Sequence, residues 1–389
     1  MKSGRFIFSH ILRFLPIYEF DQCVDRYNGN YRSRSFSCYD QFICMAFAQL
    51  TGRTSLRDIE ICLRSVPNKL YHIGLHGKIS RSTLADANEG RDWNIYYDFA
   101  QILIAKAQKL YAGSQLSVDV SNELYALDSS TIDLSLSVFP WAKYKATRGA
   151  IKLHTLLDLR GNIPSFIVVT DGKVSDVKIM DEIFWEAGSI YLMDRGYLDF
   201  ARLHHITISG AFFVTRLKKK IKWKRVRSQP ADKDNGIICD QTIILECGQS
   251  YNNYPMHLRR VKYHDKELDK RLVFLTNDFN LPAFTIAKLY KQRWQVELFF
   301  KWIKQHLKIK SFYGTSANAV KTQIWIAISV YLLIAIIKKT LKLEQSLYTL
   351  SQIFSLSLFE RTQCLKGFIK QDYTNSILEG SEQLNLLGA

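Results

Sequence analysis

The stretch ELYALDSSTIDLS (residues 123–135), with IKLHTLLDLRG (151–161) and IPSFIVVTDG (163–172) after it, decides the fold. Each is a short apolar run bounded by polar residues, the pattern of a strand, and Gly161-Asn162 supplies a tight turn between the second and third. Segments of alternating kind follow: a helix over VKIMDEIFWEA (177–187), a strand over SIYLMD (189–194), a helix over LDFARLHHI (198–206) and a strand over AFFVTRLK (211–218). Three consecutive strands and then alternating helix and strand predict a mixed sheet covered by helices, an α+β or mixed α/β architecture.

Upstream, from about Phe6 to Tyr111, apolar residues recur at helical spacing, as in YDQFICMAFAQLTG and WNIYYDFAQILIAKAQKLY. Downstream, Arg216 to Leu281 carries alternating segments such as QTIILEC and RLVFLTN without a long helical pattern. A long helix begins near Phe284, and the chain after Lys339 reads as helical and peripheral. The expected organisation is a helical region 1–115, a catalytic-type α/β domain 116–340 with a strand-rich insertion at about 216–282, and a helical tail 341–389.

Asp128 ends the apolar run Leu124–Leu127, and Asp194 ends Ile190–Met193, so each acid sits where a buried strand emerges. A lone aspartate at such a point is most often a turn or cap residue. If the two strands pair in parallel, however, the carboxylates stand side by side at the carboxyl edge of the sheet, where open α/β sheets place ligands. Two such anions repel unless a cation lies between them. Asp133 and Asp158 compete for the first position, but Asp133 is five residues from Asp128 and faces the other side of the sheet, while Asp158 leads into a hairpin.

The helix containing YKQRWQVELFFKWIKQHLK (290–308) offers a third acid. At 100° per residue Tyr290, Arg293, Glu297 and Lys304 share one narrow stripe, beside an apolar face of Leu289, Val296, Phe300, Ile303 and Leu307 that suits docking on the sheet.

Composition sets the class of partner. The 389 residues hold 53 Lys plus Arg against 36 Asp plus Glu, a formal charge of +17, which favours a polyanion such as nucleic acid. Hydrophobic residues at 47% and charged residues at 23% exclude an extensively disordered chain. The densest basic run is RLKKKIKWKRVR, where Arg216, Lys218, Lys219, Lys220, Lys222, Lys224, Arg225 and Arg227 surround Trp223, a pattern suited to phosphate contact plus base stacking. Seven cysteines without C-x-x-C spacing read as reduced. The amino terminus makes a poor signal peptide, and IWIAISVYLLIAII (324–337) suits a buried helix better than a membrane span, so a soluble protein is expected. His154, His204 and His205 read as core or surface residues, and no zinc spacing, Ser/His/Asp set or phosphate-binding glycine loop stands out.

Together these residues resemble the transposases of the insertion-sequence-four family, whose catalytic domain is ribonuclease H-like. That family's signature, Tyr, two residues, Arg, three residues, Glu, six residues, Lys, is matched at Tyr290, Arg293, Glu297 and Lys304. Its first acidic motif looks like ALDSSTIDLSL around Asp128, its Asp-x-Gly-Tyr motif resembles DRGY from Asp194, and GRTSLRDIE near residue 52 is similar to its helical amino-terminal domain. The resemblance implies that Asp128, Asp194 and Glu297 hold two Mg²⁺ or Mn²⁺ ions for phosphodiester hydrolysis and transesterification. It further implies that Tyr290, Arg293 and Lys304 grip phosphates, and that Trp223 is a candidate for receiving a flipped base. The implied partners are double-stranded DNA, as terminal inverted repeats and target, and a second copy of the chain when assembled on DNA ends. The implied setting is a prokaryotic cytoplasm, with the protein nucleoid-associated when bound. A ribonuclease H-like structure-specific nuclease and a non-catalytic DNA-binding repressor are the alternatives, opposed respectively by the Tyr-Arg-Glu-Lys match and by the intact acids.

Overall fold

The computed structural model describes residues 6–361 except 78, 247, 268 and 307–311. The helical region consists of α1 (Ile7–Leu12), α2 (Ile17–Arg26), α3 (Cys38–Thr51), α4 (Leu56–Arg64), α5 (Pro67–Leu70), α6 (Arg81–Gly90) and α7 (Asn94–Tyr111). Local chemistry sets its boundaries. The Ser37 hydroxyl accepts the Asp40 amide at 3.1 Å and the Asp40 carboxylate accepts the Ser37 amide at 2.6 Å, a reciprocal cap for α3 of the kind that contributes ~1 kcal/mol. Gly52, at φ 62°, ends the same helix in the left-handed conformation that glycine adopts without strain.

The strands are β1 (Leu124–Leu134), β2 (Lys143–Lys145), β3 (Arg148–Asp158), β4 (Ile163–Asp171), β5 (Ile190–Met193), β6 (Phe212–Arg216), β7 (Trp223–Gln229), β8 (Ile237–Leu245), β9 (Leu258–Asp265) and β10 (Lys270–Thr276). They form one mixed sheet in the order β2-β3-β1-β5-β6-β10-β9-β8-β7, with β4 also on β3. β1 and β4 flank β3 antiparallel, whereas β1–β5 and β5–β6 are parallel. The β3–β4 turn works as expected from Gly161-Asn162: Asn162 has φ 54°, and a Cβ on Gly161 would meet the Tyr111 ring at 2.2 Å.

Side chains alternate across this sheet with period two. Leu124, Ala126, Ile190 and Leu192 face one core, and Leu127, Tyr191 and Met193 face the other, which α8 (Phe200–Ile208) closes with Leu203 and Ile206. After α9 (Gln249–Asn253), the first core is covered by α10 (Ala283–Gln292), α11 (Trp294–His306), α12 (Ala317–Thr340) and α13 (Leu347–Ser357). α12 packs along α7, so the helical region and the sheet share one apolar core. Among the described residues α12 is the one helix long and apolar enough to cross a membrane, and 94% of its apolar window is buried inside the protein.

Three expectations need correction or refinement. VKIMDEIFWEA forms only a 3-10 turn, Asp176–Asp181, because beyond it Ile183 and Trp185 are buried while Phe184 between them is 89% exposed, the alternation of extended chain. The insertion is not an appendage, since β10 pairs antiparallel with β6 and carries β9, β8 and β7 into the main sheet. The long helix near Phe284 breaks at Arg293, where Arg293 N bonds Tyr290 O at 3.2 Å and Val296 N bonds Arg293 O at 3.1 Å, contacts of 3-10 rather than α spacing. Leu307 lies outside the described residues, as do Cys247, Cys364 and the tail from residue 362.

His154 on β3 faces the α8 side, wholly buried, with Nε2 at 2.9 Å from Thr170 Oγ1 and Nδ1 at 3.9 Å from Asp176. Burial lowers its pKa from 6.5 to about 4, with the nearby Asp176 opposing and Lys152 reinforcing the shift. The unfolded chain therefore takes up a proton near pH 6.5 that the folded chain refuses until near pH 4, so stability is complete above 6.5 and falls as pH drops through this window. At pH 5 the expected loss is about 2 kcal/mol relative to pH 8, from ~1.36 kcal/mol per pH unit. Urea unfolding of wild type and His154→Gln at the two pH values checks this: the variant should lack that share of the pH dependence, and equal slopes would exclude the assignment.

Candidate active site

The parallel register of β1 and β5 runs from Leu124↔Ile190 to Leu127↔Met193, so Asp128 and Asp194 occupy the next adjacent positions. Both have the parity of the residues facing the α11 side. Glu297, in the first turn of α11, approaches from that side.

Arg293 ties two of these acids together. Its Nη1 donates to Asp128 Oδ2 at 2.9 Å and its Nη2 donates to Glu297 Oε1. The other Asp128 oxygen accepts the Ser129 amide at 2.8 Å. Burial pushes the Asp128 carboxyl up to about 6, opposed by Ser129 and Arg293 and reinforced by the charges of Asp194 and Glu297. Asp194 caps the turn Arg195–Tyr197, its carbonyl accepting Tyr197 N at 3.0 Å and Thr215 Oγ1 at 3.3 Å. Among the described residues, no three His, Cys, Asp or Glu side chains are gathered closely enough to hold a metal as they stand.

The remaining members of the stripe separate. Tyr290 is 8% exposed, packed against Phe274 at 4.9 Å between ring centroids, and lies 5.7 Å beneath the Arg293 guanidinium carbon. Lys304 is exposed on α11. Sequence reading missed Thr155, which pairs with Asp128 across β1 and β3, is fully buried, and has no hydrogen-bond partner for Oγ1. Only the strand register could have revealed it.

The basic run divides in space. Arg216 ends β6 within electrostatic reach of Tyr290, beside the acids. Lys218, Lys219, Lys220 and Lys222 occupy the exposed turn that follows, while Lys224, Arg225 and Arg227 are exposed on β7, the outermost strand. Five strand steps separate β5 from β7, roughly 24 Å at about 4.8 Å each. Trp223 is half-buried, and the Arg260 guanidinium lies 4.7 Å over its ring. His204 packs against Tyr254 at 5.5 Å between centroids and His205 is exposed, both away from the acids on α8.

The mixed sheet thus presents adjacent carboxylates at its parallel centre and a row of exposed cations along one edge. Residues 121–333 match the family model described as transposase DDE domain, and residues 3–76 match a domain of unknown function. The chain is 32% identical over 281 residues to the putative transposase y4zB of Sinorhizobium fredii, covering 72% of this chain and 77% of that protein. It is 29% identical over 240 residues to the probable transposase for insertion sequence element IS5377 of Geobacillus stearothermophilus, covering 61% and 63% of the two. It is 23% identical over 342 residues to the putative transposase for insertion sequence element IS4SA of Synechocystis sp., covering 82% and 89%. The chain belongs to the DDE-domain transposases and is an insertion-sequence transposase, an enzyme.

Proposed function

We propose that Asp128, Asp194 and Glu297 are the catalytic acids and that the protein cuts transposon ends and joins them to target DNA. The observation that carries this is the adjacency of Asp128 and Asp194 on parallel strands, with Glu297 joined to Asp128 through one cation, Arg293. The donor chemistry suits a divalent metal, since hard carboxylate oxygens favour Mg²⁺ or Mn²⁺, and a positive charge, Arg293, already stands between two of the three acids where an ion would compete for them. Two such ions held by Asp128, Asp194 and Glu297 would activate a water or a DNA 3′-hydroxyl and stabilise the leaving oxygen.

The chain's own residues do the positioning. Arg293 and Lys304 offer cations to the phosphate flanking the cut, and Tyr290, buried beneath Arg293, steadies that guanidinium rather than reaching the DNA itself. The match at Tyr290, Arg293, Glu297 and Lys304 supports placement in the insertion-sequence-four family, with first-strand nicking, a hairpin and strand transfer in a DNA-bound homodimer. The strand order β4-β3-β1-β5-β6 supports the ribonuclease H-like assignment. Residues 1–115 are assigned to DNA-end binding, for which exposed Tyr31, Arg32 and Arg34 are available. Incubating the protein with its flanking DNA and Mg²⁺ tests this function: nicked, hairpin and joined products are expected, whereas nicks without joining would favour a structure-specific nuclease.

The edge strand β7 should grip DNA without reading its sequence. Replacing Lys224, Arg225 and Arg227 by glutamine is expected to weaken all duplexes alike and to reduce the slope of log K against log salt by about 0.9 for each phosphate no longer neutralised. An unchanged slope would leave the strand merely solvated.

A further inference from the structure

Arg293 does more here than wait for a phosphate. Its fork is divided between two carboxylates, Nη1 on Asp128 and Nη2 on Glu297, while its side chain is only 14% exposed. A guanidinium cannot lose its proton at any physiological pH, so it leaves this place only by moving. Both oxygens of Asp128 are engaged, one by Arg293 and the other by the Ser129 amide. A divalent ion approaching Asp128 and Glu297 therefore competes with a resident cation for the same oxygens. The Nε of Arg293 is buried without a hydrogen-bond partner. Arg293 also sits at the break between α10 and α11, where its backbone is held by 3-10 rather than α contacts. An added acceptor, such as a phosphate oxygen, would satisfy that third N–H.

We propose that Arg293 is the internal counter-cation of the DNA-free enzyme, and that a DNA phosphate draws it off Asp128 and Glu297 so that metal and DNA load cooperatively. This rests on the assignment of those acids as metal ligands. It adds an order to the reaction: metal occupies the site poorly until DNA is present, which keeps a nuclease-competent centre from forming in the free protein. A ligand that removes the competing group raises the affinity for the other ligand by the same factor, and such couplings commonly amount to roughly 5–150-fold.

The test is Mn²⁺ binding by the full chain without DNA, read from loss of the free-ion paramagnetic resonance signal. Arg293→Gln should bind Mn²⁺ at least about 10-fold more tightly than wild type, within that coupling range. Arg293→Lys, which keeps the charge but cannot span both carboxylates, should fall between them. Lys304→Gln, which removes the same charge from the adjoining helix α11, should stay close to wild type. Adding a short blunt duplex should tighten Mn²⁺ binding to wild type by a similar factor and to Arg293→Gln far less. Affinity in Arg293→Gln equal to or weaker than wild type, or an equal gain in Lys304→Gln, overturns the counter-cation assignment. Loss of Mn²⁺ binding in an otherwise folded Asp194→Ala protein keeps the metal assignment standing in that event. No Mn²⁺ binding by any form, with or without DNA, would instead overturn the metal site itself.

Discussion

Replacing Asp128, Asp194 or Glu297 by alanine is expected to lower single-turnover nicking of a transposon end by at least about 10²–10³-fold, the scale of removing one electrostatic element from an active site. Each acid has a separate reason to matter. Asp128 and Asp194 stand at adjacent positions across a parallel strand pair, and Glu297 enters from α11 on the same face. On the proposed assignment, losing any one would leave the others without the full set of oxygens to fix a divalent ion. In metal-free buffer DNA binding should hold or tighten, because each substitution also removes a charge that repels phosphate. Gel-shift affinity measured beside the nicking rate separates the two effects. Near-normal nicking by one variant would remove that residue from the site.

The second large effect concerns Arg259 and Asp240, which sequence reading did not single out. Both are 3% exposed, and Arg259 donates from Nε and Nη2 to the two Asp240 oxygens at 2.9 and 2.7 Å. Its Nη1 also donates to the carbonyls of Asp278 and Leu281, in the loop that launches α10. One side chain thus binds β8 and β9 to the start of the segment that carries Tyr290 and Arg293. Arg259→Met should cost about 3–5 kcal/mol, since it strands a buried carboxylate as well as two carbonyls. The double variant Arg259→Met, Asp240→Leu should recover a large part of that loss, because a matched apolar pair leaves no lone buried charge. Urea unfolding midpoints of both variants give the answer. A loss under ~1 kcal/mol in Arg259→Met would mean that the pair is solvated or compensated.

That Asp128 and Asp194 each follow a buried apolar run was legible in the sequence because such runs are local signals, whereas the parallel pairing that makes them neighbours entered only as a condition. The burial of α12 was legible for the same reason, since its apolar residues surround the whole helix. Long-range register was not legible. The joining of the insertion to the sheet depends on Phe274–Thr276 meeting Val214–Arg216, and nothing in either segment names its partner. Thr155 was hidden likewise, becoming a neighbour of Asp128 only through the β1–β3 pairing. Ideal helical geometry was incomplete at Arg293: it places Tyr290 and Arg293 on one stripe, whereas in the structure Tyr290 is buried in the core and Arg293, at the break, is turned onto two carboxylates. In VKIMDEIFWEA the spacing of Ile179 and Ile183 fits a helix, and only the opposed exposures of Phe184 and Trp185 separate that from extended chain.

Directed cleavage by iron tests most directly whether Asp128, Asp194 and Glu297 hold the metal. Fe²⁺ substituted for Mg²⁺ in the DNA-bound protein, then treated with ascorbate and peroxide, cuts the polypeptide next to wherever the ion sits. Cuts are expected around Asp128 in the middle of β1, just after the end of β5 and in the first turn of α11, competed away by excess Mg²⁺ and absent in Asp194→Ala. Cuts confined to other segments, or a pattern unchanged in Asp194→Ala, would contradict the assignment of these three acids.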